Sequence, residues 1–187
     1  MSSLTHLLEF WFESAKMDQM ATHREQWWIK DHNFDQRIRD DFKDLFDQAI
    51  SGKLANWEET PLGCTGLVLL LDQFPRNMFR GSPRAFAYDE QARALTRNVL
   101  AKGFDQHLPM GPRLFLYLPL EHSENLQDQK DCITLMEALG DDDYLYFARK
   151  HLVIIEQFGR FPHRNDVLGR HSTPQEVMFL KEPDSSF

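Results

Sequence analysis

Two stretches of this chain constrain its fold more than any others: LVLLLDQFPRNMFR over residues 67–80 and LVIIEQFGRFPHRN over residues 152–165. Each is an apolar run closed by a carboxylate, a Gln and a Phe (Asp72-Gln73-Phe74 and Glu156-Gln157-Phe158). A Pro and an Arg-Asn pair follow in both, as Pro75-Arg76-Asn77 and Pro162-His163-Arg164-Asn165. An apolar run without a polar face reads as a helix buried all round, so Leu67–Leu71 and Leu152–Ile155 are expected at the centre of the fold. A carboxylate in the last turn of such a helix meets the negative end of the macrodipole. Burial raises that cost unless a cation pairs with it. Arg76 and Arg80 follow Asp72, and Arg160 and Arg164 follow Glu156. Two readings compete: a pair of Asp/Glu–Arg clamps that only fix helix ends, which is the leading one, or surplus Arg and His side chains that line a shared anion-binding cleft, because guanidinium suits carboxylate and phosphate.

The remaining signals are helical almost throughout. Phe34, Ile38, Phe42, Leu45, Phe46 and Ala49 repeat at the spacing of one helix face, and Gly52 stands where such a helix would end. Thr60-Pro61, Ser82-Pro83 and Thr173-Pro174 each place a hydroxyl cap before Pro at the first helical position, and Glu176 completes a capping box with Thr173. The second of these is expected to open a helix running to Gly103, on a stripe of Tyr88, Ala92, Leu95 and Val99. A helix from Pro112 carries Pro119, which implies a kink or break. Further helices are expected near Leu126–Leu139 and Asp142–Phe158. Alternating β-branched runs and Asn-Gly or Asp-Gly hairpins are lacking. The expected fold is all-α: seven to nine helices in stacked antiparallel hairpins, one domain over residues 1–187, with 181–187 as a loose tail.

Composition narrows the function classes. The net charge of −8, with no Lys/Arg run, argues against nucleic-acid binding. The N-terminal MSSLTHLLEFWFES has neither the basic region nor the apolar stretch of a signal peptide, and Leu67–Leu71 is far shorter than a membrane span. Two Cys without a C-x-x-C suit a reducing compartment, so a cytoplasmic location away from membranes is expected.

A third polar cluster, LPLEHSENLQDQ, begins at the edge of an apolar helix with Glu121, His122, Ser123 and Glu124. Glu121 and Glu124 stand one helical turn apart, where two carboxylates raise one another's pKa and supply a general acid. Glu-x-x-His, H-E-x-x-H, Walker A, G-x-S-x-G and G-x-G-x-x-G are all missing, so neither a metal nor a cofactor is implied. Trp27-Trp28 point to opposite sides of the chain, leaving one for the surface.

At DQFPRNMFRG, LPLEHSENLQDQ and FGRFPHRNDVLGRHSTPQE the chain closely resembles the bacterial family called domain of unknown function 924. The resemblance runs from the FWF of Phe10–Phe12 to Thr173–Glu176 and on to Phe179-Leu180, departing at Gln175, where an acidic residue is expected. It implies a tetratricopeptide-like helical fold, although that repeat's own consensus is not legible here. It also implies that Asp72, Gln73, Arg76, Asn77, Glu121, His122, Ser123, Glu124, Arg160, His163, Arg164 and Asn165 are family signature positions. Three functions compete. In the first, a polar cleft binds a small anion or peptide carboxylate through Asp72, Gln73, Arg76, Asn77, Arg80, Arg160, His163, Arg164 and Asn165. The second is a protein-interaction scaffold without chemistry. The third is a hydrolase or lyase using Glu121, Glu124 and His122.

Overall fold

The structure, a computed structural model, describes residues 3–183 together with Ser185 and Ser186. Its described residues are helical, with no strand among them. The α-helices are α1 (Ser3–Phe12), α2 (His32–Ile50), α3 (Pro61–Val68), α4 (Phe74–Met78), α5 (Asp89–Ala101), α6 (Met110–Glu121), α7 (Leu126–Leu139), α8 (Asp142–Phe158) and α9 (Pro174–Phe179). The chain divides into two compact units. Unit 1 holds the residues up to Arg80 and from Arg84 to Pro119; unit 2 holds Gly81–Pro83 and the residues from Leu120 onward.

In unit 1, Leu67–Leu71 is buried on every side, as its composition requires. The helix does not stop at Asp72. It widens into a π-turn over Leu69–Gln73 and continues as α4, correcting the expected helix end. Pro75 supplies the reason: it lacks the N–H that would close an α-turn, and a π-turn before it lets the helix continue. Around this element lies an aromatic core in which Trp11 meets Trp27, Phe34, Phe74 and Phe115 at centroid distances of 5.3–6.3 Å. The last carbonyls of α1 are capped from outside: Arg24 Nη1 donates to Phe10 O and Trp11 O at 2.8 and 2.6 Å, and Trp27 Nε1 donates to Trp11 O at 3.0 Å. Trp27 is buried and Trp28 exposed, as their adjacency demands.

Thr60 and Thr173 cap α3 and α9 as expected, the latter with its capping box. Gly52 and Gly103 follow α2 and α5 in the left-handed conformation. Ser82-Pro83 departs from expectation: Pro83–Phe86 makes a 3₁₀ turn, and α5 starts only at Asp89. Arg84 pins that turn sideways, its guanidinium 4.1 Å from the Phe79 ring and 5.9 Å from Phe46. α6 runs through Pro119 to Glu121, so the helix is not broken there.

In unit 2, α7 and α8 form a hairpin joined by Gly140, left-handed at the end of α7, and Asp141, whose carboxylate caps α8. Both helices keep their expected bounds. α8 is not buried all round, however. Ile154 and Ile155 face Phe161 in the core, whereas Val153 is 56% exposed and Glu156 lies in solvent. Positions 153 and 156 fall on the same 3.6-residue stripe as the exposed 142, 146 and 149, so tertiary packing sets a solvent face that composition hides. The expected buried clamp at Glu156 is corrected accordingly, and the two similar stretches are not structural equivalents. Of the expected tail, Asp184 and Phe187 lie outside the described residues; Ser185 is buried and its Oγ donates to Leu180 O at 3.3 Å.

Candidate functional site

The first motif is braced within unit 1. Asp72, fully buried, accepts from Gln73 Nε2 at 2.6 Å and lies 3.3 Å from Arg76 Nη1. Arg76 also grips Asp89 with two parallel bonds of 2.8 and 2.9 Å, and donates to Asp72 O. One turn on, Asn77 Nδ2 donates to Asp35 Oδ1 at 2.8 Å, and Arg80 Nε and Nη2 both reach the same carboxylate at 2.9 Å. Burial pushes the Asp35 carboxyl up, but the bonds from Arg80 and Asn77 and the charge of Arg39 outweigh it and hold the group below the usual carboxylate range. Asp35 and Asp89 had no motif to flag them: Asp35 looks like one of several solvated acids on α2, and Asp89 like a helix-start acid.

The other two motifs meet in unit 2. Glu121 ends α6 with its carboxylate buried. His151 Nδ1 lies 2.9 Å from Phe147 O and 3.3 Å from Glu121 Oε1, and Cys132 Sγ lies 4.0 Å from Glu121 Oε2. A backbone carbonyl only accepts, so Nδ1 carries the hydrogen. Burial drives the His151 pKa down to about 3, with His122, Arg164 and His163 acting in the same direction. The imidazole is therefore neutral, and its 3.3 Å approach to Glu121 is not an ion pair. The His122 ring lies 6.3 Å from His151, and the His122 carbonyl accepts from Arg164 Nη1 at 3.0 Å. Phe161 gathers three groups: its ring centre is 4.4 Å from the Arg164 guanidinium, 5.5 Å from His151 and 5.7 Å from His163. Burial and then Arg164 bring His163 down to about 4.

Glu124 does not pair with Glu121. The helix ends at Glu121, and Glu124 lies in the connection before α7, so the expected shared face is not formed. Arg170 grips Glu124 with bonds of 2.7 and 2.9 Å, and Phe161 N donates to it at 2.9 Å. Burial raises the Glu124 carboxyl, but Arg170 and the Phe161 N–H together hold it below its ordinary value, the opposite of a general acid. Arg170 also donates to Asn165 Oδ1 and Phe161 O at 2.9 and 3.1 Å, which ties the 161–170 segment to the α6–α7 connection. Asn165 Nδ2 donates to Ser172 Oγ at 3.1 Å. Arg160 points elsewhere, gripping Glu176 of α9 with bonds of 2.6 and 2.8 Å.

The structure thus brings Glu121, His122, His163, Arg164 and Asn165 together with His151, Cys132, Phe161 and Arg170, which the motifs did not single out. His151 had one faint signal, a titratable residue on the otherwise apolar stripe of Tyr144, Ala148 and Ile155. Among the described residues no cluster of three or more His, Cys, Asp or Glu is arranged to hold a metal ion, and no helix is long and apolar enough to cross a membrane.

His151 has a pH consequence. Its pKa is about 6.5 unfolded and about 3 folded, so between those values the unfolded chain binds more protons, and stability falls as pH falls. The slope for this one group approaches 1.4 kcal/mol per pH unit, and His163 adds to it with the same sign down to about 4. Urea midpoints between pH 7 and 5 should decline, and less steeply in His151→Gln. Equal slopes in the two proteins would contradict this.

A family model described as a bacterial protein of unknown function, DUF924, matches residues 7–184. No curated protein matches the chain. A solved structure of a protein of unknown function from Agrobacterium tumefaciens is similar, with 36% identity and a TM-score of 0.87, over 95% of this chain and 96% of that one.

Proposed function

The chain belongs to the bacterial DUF924 family of unknown function, and from the chemistry of its unit 2 cluster we propose that it binds a small anion, a phosphate or a carboxylate (a peptide carboxylate included), beside Arg164, His163 and His122. One observation carries the reading: the buried Arg164 guanidinium donates to a neutral carbonyl, His122 O, and lies over the Phe161 ring with the His163 imidazole on the same ring. A buried guanidinium beside imidazoles is a set of groups that an anion stabilises. In this reading Glu121 and His151 orient the polar wall, Glu124 and Arg170 hold the 161–170 segment in place, and Asn165 fixes its turn. Asp72, Gln73, Arg76, Asn77, Arg80 and Arg160 serve as braces, since the four Arg–carboxylate bridges and contacts described above already engage them. Two buried free cysteines are consistent with a reducing, cytoplasmic setting. The tetratricopeptide-like label belongs to the same proposal, supported by the α7–α8 hairpin.

Titration with inorganic phosphate and with short carboxylates, read by thermal shift and calorimetry, tests the reading. A saturable stabilisation is expected that follows ligand concentration relative to Kd, and Arg164→Gln should abolish it while leaving a folded protein. Because an anion raises the pKa of His163, binding takes up a proton, so affinity should grow as pH falls from 7 toward 5. A flat response to both anion classes across that range would reject the proposal.

One specific observation favours a second reading. The Nδ1–H of His151 donates to Phe147 O, which gives an imidazole of fixed tautomer 3.3 Å from Glu121, as proton-transferring enzymes require. A hydrolase or lyase would then rely on Glu121 and His151 in place of Glu121 and Glu124. Loss of turnover in His151→Gln with anion binding retained would support this reading.

A further inference from the structure

Helix α8 turns apolar side chains to solvent. Tyr146 is 54% exposed, Phe147 47% and Val153 56%. Tyr146 and Val153 lie on one stripe with Asp142 and Arg149, while Asp143, Phe147 and Lys150 flank it. The Tyr146 and Phe147 rings touch, 5.5 Å between centres, and make a small apolar patch rimmed by charge.

The charges on this stripe are sorted along the helix. Acids fill the first turn at Asp142 and Asp143, and bases stand in the middle at Arg149 and Lys150. The two sets are placed symmetrically about Tyr146: Asp142 and Lys150 lie four residues on either side of it, Asp143 and Arg149 three. A helix with that arrangement is complementary to itself when a second copy runs antiparallel across it. We propose that a second copy of this chain docks on α8 about a two-fold axis at Tyr146. The stripe then meets itself, as an isologous interface requires. Asp142 faces the partner's Arg149, Asp143 faces the partner's Lys150, and the two Tyr146 rings meet at the centre.

The groups already around this face fit the arrangement. Arg149 holds Glu137 of α7 at 3.2 Å through side chains that are each more than half exposed, so that bridge is worth little and yields at small cost. Lys150 Nζ sits 4.8 Å from the Tyr146 ring centre, a contact that it exchanges for the partner's carboxylate on docking. Asp141 faces inward along its own helix, capping the N–H groups of Asp143 and Tyr144. One helix face supplies less than the about 800 Å² per partner of a standard interface. The association is therefore weak and concentration-dependent.

Sedimentation equilibrium with two charge-swapped variants tests the pairing. Asp142→Lys with Asp143→Lys makes the stripe uniformly basic, and Arg149→Glu with Lys150→Glu makes it uniformly acidic. The unaltered chain should rise from 22.1 kDa toward twice that mass as its concentration enters the high micromolar range. Each variant alone should stay monomeric, and an equimolar mixture of the two should associate at least as tightly as the unaltered chain. Recovery in the mixture shows that both variants fold, so loss of association in each alone reports charge and not unfolding. A chain that stays at 22.1 kDa throughout overturns the proposal, whatever else covers α8. So do variants that self-associate as well as the unaltered chain, or a mixture that does not associate.

Discussion

Arg76→Ala is expected to lower the unfolding free energy by about 3–5 kcal/mol, the usual cost of removing one partner from a buried ion pair. The side chain of Asp72 is fully buried and that of Arg76 is 18% exposed, so the lost cation is not replaced cheaply by water. Two bonds to Asp89 and one to Asp72 O disappear with it. Asp89 is partly exposed, so Asp89→Asn should cost far less and separates loss of one bridge arm from desertion of Asp72. All four Trp residues lie in unit 1, so urea unfolding followed by Trp fluorescence reads this unit directly. An unchanged midpoint in Arg76→Ala would show that Asp72 does not depend on this guanidinium.

The second large effect is expected at Arg170. Its guanidinium makes two bonds to Glu124 and one each to Asn165 and Phe161, closing a segment built of turns after the 3₁₀ turn Pro162–Arg164. Arg170→Ala should cost about 3 kcal/mol, since it deserts a part-buried carboxylate and several charge-assisted hydrogen bonds together. Arg170→Lys should recover little, because an ammonium lacks the planar fork that reaches Glu124, Asn165 and Phe161 at once. Glu124→Gln should be milder than either, as its amide oxygen still accepts from Phe161 N. Unit 2 contains no Trp, so hydrogen exchange of the 161–170 amides is the appropriate readout. Protection equal to that of the unaltered chain would mean that the segment holds itself in place. Under the proposed function Arg170→Ala also weakens phosphate stabilisation, by letting His163 and Arg164 leave their positions.

Much of the fold is legible before any coordinates. α7 and α8 begin and end where capping and periodicity place them, and Thr60, Thr173, Gly52 and Gly103 perform their expected duties. These features depend on residues three or four positions apart, so the local chain contains all the information they need. The π-turn at Leu69–Gln73 sits at the edge of that range: Pro75 announces an interrupted helix, but only packing decides that the helix widens and continues.

What the sequence by itself determined was the helical class, the bounds of α7 and α8, the caps of α3 and α9, and part of the list of polar residues that are buried. Tertiary structure decided who pairs with whom. Arg76 chose Asp89, 13 residues away; Arg160 chose Glu176, 16 away; Arg80 reached Asp35 across 45 residues, and Glu124 reached Arg170 across 46. It also decided that Asp72 is buried while Glu156, at the matching point of a similar stretch, is exposed. The physical reason is common to both. Helix formation is a contest among near neighbours, whereas burial and charge pairing depend on which distant surfaces cover a side chain, and no local spacing encodes that.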